Sequence, residues 1–491
     1  MTEPNDLIKE RRKKLESIKA MGIDPFGGKF SKGHMIRALL ENFEDKKRVN
    51  TAGRLSAMRL MGKTTFCDLK DDSGRIQLYM KHEHLGEEQA KLFECLDIGD
   101  IIGVEGELFK TKTGEISVRV DKLRLLSKSL RPLPEKWHGL KDVEVRYRQR
   151  YLDLISNEES REIFKKRSLI IRSIRKILDD KGYLEVETPM MHAIPGGAAG
   201  EPFITHHQTL DVELYLRLAP ELYLKKLLVG GLERVYELNR SFRNEGVSTQ
   251  HNPEFTMLEA YAAYQDCAYM MELVQELICE AAKTLLGKLQ CEFQGQAIDL
   301  SPPWDRVSFA QAMEAMGLSP SSSLEDIQRV LERKGMNVKE LNRSQLVRLI
   351  EQLFSPKTKT KPLFVVDYWT ELSPLAKAKP DEPLIADRFE LFIGGMEVAN
   401  AYSELNDPIE QRRRFEAQLE EGTGHGARGS KSSSRPPPRA RQIDEAFLEA
   451  LEYGMPPAGG LGVGIDRLAM VLLNQPSIKD VILFPLLKPE V

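Results

Sequence analysis

The segment 235–261, VYELNRSFRNEGVSTQHNPEFTMLEAY, carries polar side chains at the spacing of a β-hairpin. Every second residue over 237–245 is polar, so these side chains share one strand face. After the turn-rich GVSTQHNP, Phe255 and Glu259 share one face of the return strand. Antiparallel pairing would then place Arg243, carboxylates and an aromatic ring around one cavity. The alternative interpretation is a sheet with one solvated face. An arginine there is always charged and can bind an anion through two hydrogen bonds.

The segment 460–473, GLGVGIDRLAMVLL, joins a predicted strand to a predicted helix. Three glycines at every second position leave one strand face without side chains, so a flat ligand can approach the backbone there. Asp466 is predicted to cap the N-terminus of the helix, and Arg467 lies at its positive end. A plain strand–helix junction does not require three alternating glycines, so we interpret this segment as part of a binding site.

A third segment, KGYLEVETPMM at 181–191, follows a predicted helix in which apolar residues over 170–178 recur at helical spacing. Gly182 is expected to end that helix, and Pro189 to end the short strand that follows. By itself this segment indicates only a helix–strand junction.

Length and composition restrict the class of protein. The chain has 491 residues with 71 Lys+Arg and 74 Asp+Glu, and its net charge of −3 excludes an overall basic nucleic-acid coat but not a local basic face. At about 150 residues per domain, roughly three domains are expected. No stretch approaches the ~18 apolar residues of a membrane helix, and the first residues lack the apolar core of a signal peptide. Five cysteines without a CxxC pair agree with a reducing compartment, so we expect a soluble cytoplasmic protein without membrane contact.

Five short strand-like runs separated by turns over 46–128 predict a small barrel, of which the OB-fold is the common five-stranded type. The end of this region is locally basic, which indicates either a solvated surface or one that faces nucleic acid. Composition predicts the other boundaries: a basic helical arm at 1–45, a linker at 129–142, and a larger unit at 143–491 with a helical insertion at about 305–360 and a disordered low-complexity loop at 422–441.

The segments 181–191, 235–261 and 460–473 resemble, in that order, motifs 1, 2 and 3 of the class II aminoacyl-tRNA synthetases. GGAAGEPF, RLAPELYLK, FRNEG…HNPEFTMLEAY, ANAYSELNDP and GLGVGIDR are similar to the bacterial lysyl-tRNA synthetase family, over nearly the whole chain. The resemblance implies an α+β fold, with an N-terminal OB-fold barrel and a class II catalytic domain built on an antiparallel sheet flanked by helices. It further implies a homodimeric ligase that uses Mg²⁺ and ATP to form lysyl-adenylate and transfers the lysyl group to tRNA(Lys).

The resemblance also implies a nucleotide site. Arg243 would bridge the substrate carboxylate and the α-phosphate, because both steps of the reaction place negative charge around phosphorus. Phe255 and Arg467 would enclose the adenine, and Glu245 would accept a hydrogen bond from its amino group. The implied nucleotide-binding residues are Arg243, Glu245, His251, Asn252, Phe255 and Arg467, with His251 and Asn252 near the phosphates.

An acidic pocket is the feature that favours lysine as the substrate. Three carboxylates around one small ligand repel one another unless a cation arrives, and lysine brings two ammonium groups, whereas aspartate would require a cationic pocket. By the resemblance, Glu221 and the Gly197 carbonyl would hold the α-amino group, and Glu404 and Tyr261 the ε-ammonium. The implied lysine-binding residues are Gly197, Glu221, Glu259, Tyr261, Asn400, Tyr402 and Glu404, with Asn400 at the carboxylate and Tyr402 along the methylene stem.

Glu390 and Glu397 correspond to the Mg²⁺ ligands of the family. A two-residue turn at 394–395 would pair Phe392 with Glu397 and leave Glu390 on the same face. Mg²⁺ typically takes one or two carboxylates with phosphate oxygens, although two solvent-facing glutamates would look the same in sequence. Regular pairing would turn residues 400–404 to the opposite face, so the resemblance requires a β-bulge that the spacing alone does not predict.

In the barrel, Arg59, Phe66 and Gln77 match positions that the family uses on the anticodon. A uridine-rich anticodon offers unpaired bases, which an aromatic ring can stack on and an amide can recognise at the edge. Each of the three could also be an ordinary barrel residue.

Three other functions remain open at this point. The chain could be a catalytically inactive RNA-binding or regulatory paralogue, an aspartyl- or asparaginyl-type enzyme, or a ligase that activates lysine for an acceptor other than tRNA. The retained site residues argue against an inactive paralogue, and the acidic pocket argues against an aspartyl- or asparaginyl-type enzyme. The barrel argues against an acceptor other than tRNA. Gln250 stands where many relatives carry an arginine, so we expect no charged γ-phosphate contact there.

Overall fold

The computed structural model describes residues 4–62, 64–134, 140–198, 200–338, 341–354, 360–423 and 442–490. The chain divides into two compact units, Met1–Lys141 and Asp142–Val491. Across those described ranges, no helix is both long and apolar enough to cross a membrane.

The N-terminal unit is a closed five-stranded barrel with strand order β1-β2-β3-β5-β4, which confirms the predicted OB-fold. Inward-facing residues such as Cys67, Leu69, Ile76 and Leu78 are almost completely buried, whereas Phe66, Lys70 and Gln77 are partly exposed on the outer face. The elements are α1 (Pro4–Ala20), α2 (Ile36–Glu41), β1 (Arg48–Met61), β2 (Thr64–Lys70), β3 (Arg75–Lys81), α3 (His82–Glu94), β4 (Ile101–Lys110) and β5 (Ile116–Ser127).

Residues 1–45 belong to this same unit. Ile18 of α1 and Ile36 and Leu39 of α2 are buried in the barrel's hydrophobic core. The Arg11 guanidinium donates to the carbonyl oxygens of Ile98, at 2.9 Å, and of Arg131, at 3.0 Å. The arm is therefore part of the barrel's packing.

The C-terminal unit is built on an eight-stranded, mainly antiparallel sheet of order β14-β15-β18-β19-β20-β11-β10-β6. Apolar residues of α6, α8 and α14 cover one sheet face, while α7 and α13 pack near one end of the other face. The helices are α4 (Val143–Arg148), α5 (Arg150–Ser156), α6 (Glu158–Asp180), α7 (Glu221–Val229), α8 (Cys267–Leu286), α9 (Phe309–Glu314), α10 (Leu324–Arg333), α11 (Arg343–Leu353), α12 (Pro408–Thr423), α13 (Glu445–Glu452), α14 (Ile465–Leu472) and α15 (Ile478–Val481), with a 3₁₀ turn at Thr370–Leu372.

The strands of this unit form one large sheet and three small ones. They are β6 (Leu184–Glu185), β7 (Met191–His192), β8 (Ile204–His207), β9 (Val212–Leu216), β10 (Arg234–Phe242), β11 (Glu254–Ala263), β12 (Gln290–Phe293), β13 (Gln296–Asp299), β14 (Asp305–Ser308), β15 (Leu363–Val366), β16 (Ala378–Lys379), β17 (Glu382–Ala386), β18 (Arg388–Ile393), β19 (Met396–Ser403) and β20 (Ala458–Gly464). The face of the large sheet on which a side chain lies decides which other side chains it can contact.

The insertion predicted at about 305–360 differs at its start. Residues 305–308 form β14, which pairs in parallel with β15 at the edge of the large sheet. The helical part begins at Phe309 and has its own hydrophobic cluster, which includes Leu331 and Leu346. Of the loop predicted at 422–441, the first two residues end α12 and the others lie outside the described residues.

Candidate functional site

The hairpin predicted from the alternating pattern is present as β10 and β11. Ser241 pairs with Phe255, and the Arg243 backbone N–H donates to the Pro253 carbonyl at 2.9 Å. The Arg243 guanidinium lies 5.2 Å from the centre of the Phe255 ring. Its buried Nε has no hydrogen-bond partner among the described residues. Burial lowers the pKa of Arg243 and the Glu245 and Glu397 carboxylates oppose that shift, so the side chain stays cationic.

One cavity gathers the residues expected to bind the nucleotide. The Arg467 guanidinium donates to the Glu397 carbonyl at 2.9 Å and lies 3.1 Å from the His251 ring. Burial, together with Arg467, lowers the pKa of His251, so its imidazole is neutral at pH 7. All six predicted residues line this cavity: Arg243, Glu245, His251, Asn252, Phe255 and Arg467.

Asp466 does not cap its helix, contrary to the prediction. Helix α14 begins after Gly464, and no side chain caps it. The buried Asp466 carboxylate instead accepts hydrogen bonds from the Thr256 backbone N–H at 2.7 Å and from the Arg167 guanidinium at 2.6 Å. These bonds tie the start of α14, and with it Arg467, to strand β11 and helix α6. The role of Arg167 was not predicted, because nothing in its local sequence distinguishes it from other helix-surface arginines.

The β-bulge that the resemblance required is present between β18 and β19. Leu391 pairs with Ala399, but Phe392 pairs with Glu397, so Val398 is the extra residue. Both turn glycines, at 394 and 395, have positive φ, as a two-residue hairpin turn requires. The bulge keeps Glu397 on the sheet face that carries Asn400 and Tyr402, while Val398 faces the hydrophobic core.

Two rows of paired residues cross the sheet on that face. The first runs from Glu390 through Asn400 and Gly462 to Glu259. The second runs from Arg388 through Tyr402 and Gly460 to Tyr261. Because glycines occupy the centre of each row, they form the floor of a pocket whose walls are the flanking side chains.

The floor requires glycine most strictly at one position. A Cβ atom on Gly460 would lie 1.8 Å from a Glu404 carboxylate oxygen and 2.6 Å from the Tyr261 ring. Gly462 and Gly464 instead line the nucleotide cavity, where a Cβ would make ordinary contacts. Gly197 has φ +83°, and a Cβ atom added to it would lie 3.3 Å from the Cβ of Glu221.

The three carboxylates predicted to bind a cation do lie together, and each is at most 6% exposed. The Tyr402 hydroxyl donates to Glu221 at 2.6 Å, and the Tyr261 hydroxyl donates to Glu259 at 3.0 Å. Neither Glu404 oxygen accepts a well-aligned hydrogen bond from the described residues. The Glu404 carboxylate contacts the Lys225 ammonium group as an ion pair, and its oxygens keep lone pairs for a second cation.

Burial raises the pKa of both Glu259 and Glu404 to about 8, and the nearby Glu221 carboxylate adds to each shift. The Tyr261 hydroxyl partly offsets the shift at Glu259. At Glu404, Lys225 opposes the shift. Glu259 therefore holds a proton in much of the free enzyme at pH 7, whereas Glu404 already faces the ammonium group of Lys225.

Lys225 is the pocket residue that the sequence did not predict. Its ammonium nitrogen is completely buried, 2.7 Å from Glu221 and 2.5 Å from Glu404. Glu221 precedes it by four residues on α7, which is a spacing common to solvated helix pairs, so the pattern alone did not point to a buried site.

The surroundings of Glu390 and Glu397 suit a cation site. Glu390 is nearly buried, accepts a hydrogen bond from Tyr368 at 2.7 Å and is paired with Arg388. Burial raises its pKa to about 7, and Glu397 and Glu351 add to that shift. Glu397 lines the nucleotide cavity. Glu390, whose pKa neighbouring carboxylates raise, together with Glu397 at the nucleotide cavity is a donor set that fits a divalent cation completed by phosphate oxygens.

The three predicted barrel residues share the outer face of neighbouring strands. Arg59 pairs with Phe66 across β1 and β2, and Gln77 lies diagonally opposite Phe66 on β3. The Arg59 guanidinium makes a bidentate ion pair with Asp68, at 2.7 and 3.3 Å. The Gln77 side-chain oxygen accepts from Ser117 at 3.0 Å, which leaves its NH₂ group for another acceptor.

Aromatic residues extend this face beyond the predicted set. Phe66 packs edge-on against Tyr79 with 5.5 Å between ring centres, and Tyr79 packs against Phe109 at 5.7 Å. The Arg119 guanidinium lies 5.2 Å from the Phe109 ring. Three rings and an arginine on one solvent-facing strip are suited to stacking with unpaired bases.

Comparison with known proteins supports the same division of the chain. Residues 142–488 match the family described as tRNA synthetases class II (D, K and N), and residues 49–126 match the OB-fold nucleic acid binding domain. The chain is 53% identical to a lysine–tRNA ligase of Carboxydothermus hydrogenoformans over 99% of both sequences. It is 52% identical to a lysine–tRNA ligase of Pelotomaculum thermopropionicum, over 99% of this chain and 96% of the relative. It is also 52% identical to a lysine–tRNA ligase of Syntrophomonas wolfei, over 99% of this chain and 98% of the relative.

Proposed function

The chain belongs to the lysine–tRNA ligases of the class II aminoacyl-tRNA synthetases, and from that membership we propose how its own residues perform the reaction. The enzyme activates lysine with ATP and transfers the lysyl group to tRNA. The observation that carries the proposal is the adjacency of two sites: a cavity with Arg243 and Arg467, and a pocket of three buried carboxylates on the same sheet face. Charging of tRNA with labelled lysine tests the proposal. Adenylate formation without charging would favour an acceptor other than tRNA.

In the first step, the lysine carboxylate attacks the α-phosphorus of ATP and pyrophosphate leaves. Arg243 bridges the carboxylate and the α-phosphate, because its buried cationic side chain is poised where negative charge accumulates. Phe255 and Arg467 enclose the adenine, and Glu245 accepts a hydrogen bond from its amino group. His251 and Asn252 lie near the phosphates. The ion pair of Arg467 with Glu397 supports this arrangement by orienting the guanidinium.

Lysine binds in the acidic pocket with its charged ends apart. Glu221 and the Gly197 carbonyl hold the α-ammonium, and Glu404, whose carboxylate keeps lone pairs beside Lys225, holds the ε-ammonium together with Tyr261. Asn400 meets the carboxylate. Glu259 and Tyr402 complete the pocket wall, since the Tyr402 ring borders the space for the methylene stem while its hydroxyl orients Glu221.

Mg²⁺ is the cation that Glu390 and Glu397 would hold, together with phosphate oxygens of ATP. When bound, it would neutralise phosphate charge and favour the departure of pyrophosphate. The contacts of Glu390 with Tyr368 and Arg388 support a positioning role for these two residues.

The affinity for lysine should increase with pH between about 6.5 and 8.5. Glu259, with a pKa of about 8, holds a proton in the free enzyme that must leave when the ammonium groups bind, and burial raises the pKa of Glu404 as well. Each released proton changes affinity by up to about tenfold per pH unit below that pKa. The KM for lysine in ATP–pyrophosphate exchange should therefore fall several-fold from pH 6.5 to 8.0. If neither the lysine KM nor the ATP KM changed over this pH range, the assignment of these carboxyls to the lysine pocket would be contradicted.

The barrel face recognises the anticodon through Arg59, Phe66 and Gln77, in our proposal. Replacing Phe66 by alanine should lower kcat/KM for tRNA charging by about tenfold or more, the cost of one lost stacking contact. Lysine-dependent pyrophosphate exchange should not change, because the catalytic unit folds around its own core. Phe43→Ala, which removes a barrel ring outside the strip, controls for stability. An equal loss of exchange and charging would rule out the anticodon role.

We further propose a cytoplasmic homodimer, in which the motif 1 region forms the contact. Large apolar side chains are exposed around β6 to β8, among them Leu184, Met190, Met191 and Ile204. Exposed apolar side chains of this size favour burial against a second copy of the same chain. The substrates ATP, lysine and tRNA are all cytoplasmic.

A further inference from the structure

The chain places a lysine of its own inside the pocket that binds the substrate lysine. The Lys225 ammonium group lies between Glu221 and Glu404 and is completely buried. The Tyr402 ring centre lies 5.6 Å from it. An isolated buried ammonium would be strongly unfavourable, so this group is retained only because both carboxylates pair with it.

Counting charges shows what this cation does to the pocket. Glu221, Glu259 and Glu404 contribute −3 when ionised, and Lys225 reduces that to −2. The α- and ε-ammonium groups of free lysine contribute +2, and the substrate carboxylate is met by Arg243. The pocket and a diammonium ligand therefore balance only when Lys225 is present.

The geometry holds Lys225 in this position. Helix α7 is anchored by the buried Leu222, Leu224 and Leu228, so the side chain of Lys225 cannot turn to solvent without exposing these residues. Glu404 follows the end of β19, on a different element, so the ammonium group also ties α7 to the sheet. Lys225 thereby orients two carboxylates that belong to separate elements.

We propose that Lys225 is a specificity-determining residue, which keeps Glu221 and Glu404 oriented and sets the pocket charge at −2, so that a diammonium amino acid is selected over one with a neutral side chain. This inference rests on the proposed lysine pocket. The titratable groups that face Glu404 are Glu221 and Lys225 on α7, Glu259 and Tyr261 on β11, and Tyr402 on β19. Without Lys225, the remaining carboxylates relieve their repulsion by binding protons, which weakens their hold on an ε-ammonium.

The test compares Lys225→Met with the charge-retaining Lys225→Arg in lysine-dependent ATP–pyrophosphate exchange. For Lys225→Met at pH 7, the lysine KM should rise about 10- to 100-fold, while kcat and the ATP KM change less than about threefold. The penalty should shrink towards pH 8.5, and the preference for lysine over norleucine should narrow at least about tenfold. Lys225→Arg should recover most of the lysine affinity. Lys226→Met, one residue further along α7 and partly exposed, is the matched control.

Three results would overturn the inference. One is a lysine KM for Lys225→Met within about twofold of wild type. Another is a KM rise that does not depend on pH and is accompanied by an equal loss of kcat, which marks a structural role only. If Lys225→Met does not fold, Lys225→Arg decides: near-normal lysine KM and norleucine discrimination support the inference, and loss of both overturns it. Wild-type enzyme without any lysine-dependent exchange would instead mean that the proposed function itself is wrong.

Discussion

Arg243→Ala is expected to reduce lysine-dependent ATP–pyrophosphate exchange by at least about 1,000-fold, because it removes the cation that stabilises charge developing at the α-phosphorus. No group in the described part of the chain replaces it, since Arg467 is already paired with Glu397 and His251 is neutral. Pre-steady-state adenylate formation measures the step directly.

The fold should survive this substitution. The Arg243 Nε has no hydrogen-bond partner among the described residues, and the backbone bond to Pro253 does not involve the side chain. The thermal midpoint should therefore change little. Arg243→Lys keeps the charge but not the bidentate geometry, so we expect it to restore only a small part of the activity. Adenylate formation by Arg243→Ala within tenfold of wild type would show that another residue bridges carboxylate and phosphate.

Glu404→Gln should lower kcat/KM for lysine by about 100-fold or more, with the ATP KM unchanged. The substitution keeps the volume of the side chain and removes the charge that faces the ε-ammonium. Because Lys225 keeps its ion pair with Glu221, and burial already raises the pKa of the Glu404 carboxyl, a neutral amide should be tolerated in the fold. The measurement is the lysine dependence of pyrophosphate exchange.

The control for this variant is Glu449→Gln, an exposed glutamate on α13. It should leave both KM values unchanged. If Glu404→Gln raised the ATP KM as much as the lysine KM, the carboxylate would have to contact the nucleotide instead. The pH dependence of the lysine KM should also become shallower in Glu404→Gln, since one of the two titrating carboxyls is gone.

The elements that local patterns specify could be predicted from sequence. Alternating polarity over 235–261 predicted the antiparallel hairpin of β10 and β11 but not its register. The two glycines at 394–395 predicted the turn that pairs Phe392 with Glu397. The five barrel strands were also predicted, because each alternates and ends at a turn signal. These features depend on neighbours in the chain.

Features that depend on distant packing could not be predicted in this way. The bulge at Val398 leaves no local signal, and it was expected only because the resemblance placed both sides of it in one site. Asp466 looked like a helix cap, but its partners Thr256 and Arg167 come from other elements. Lys225 shares the spacing of a solvated helix pair with Glu221, and only the approach of Glu404 from the sheet reveals that it is buried.

The central claim is that an acidic pocket on the sheet face selects lysine and presents it to Arg243. Amino-acid-dependent ATP–pyrophosphate exchange, measured with each of the twenty standard amino acids, tests it most directly. The account predicts exchange with lysine alone. Exchange with aspartate or asparagine would contradict the charge argument for the pocket, and no exchange with any amino acid would favour an inactive RNA-binding paralogue.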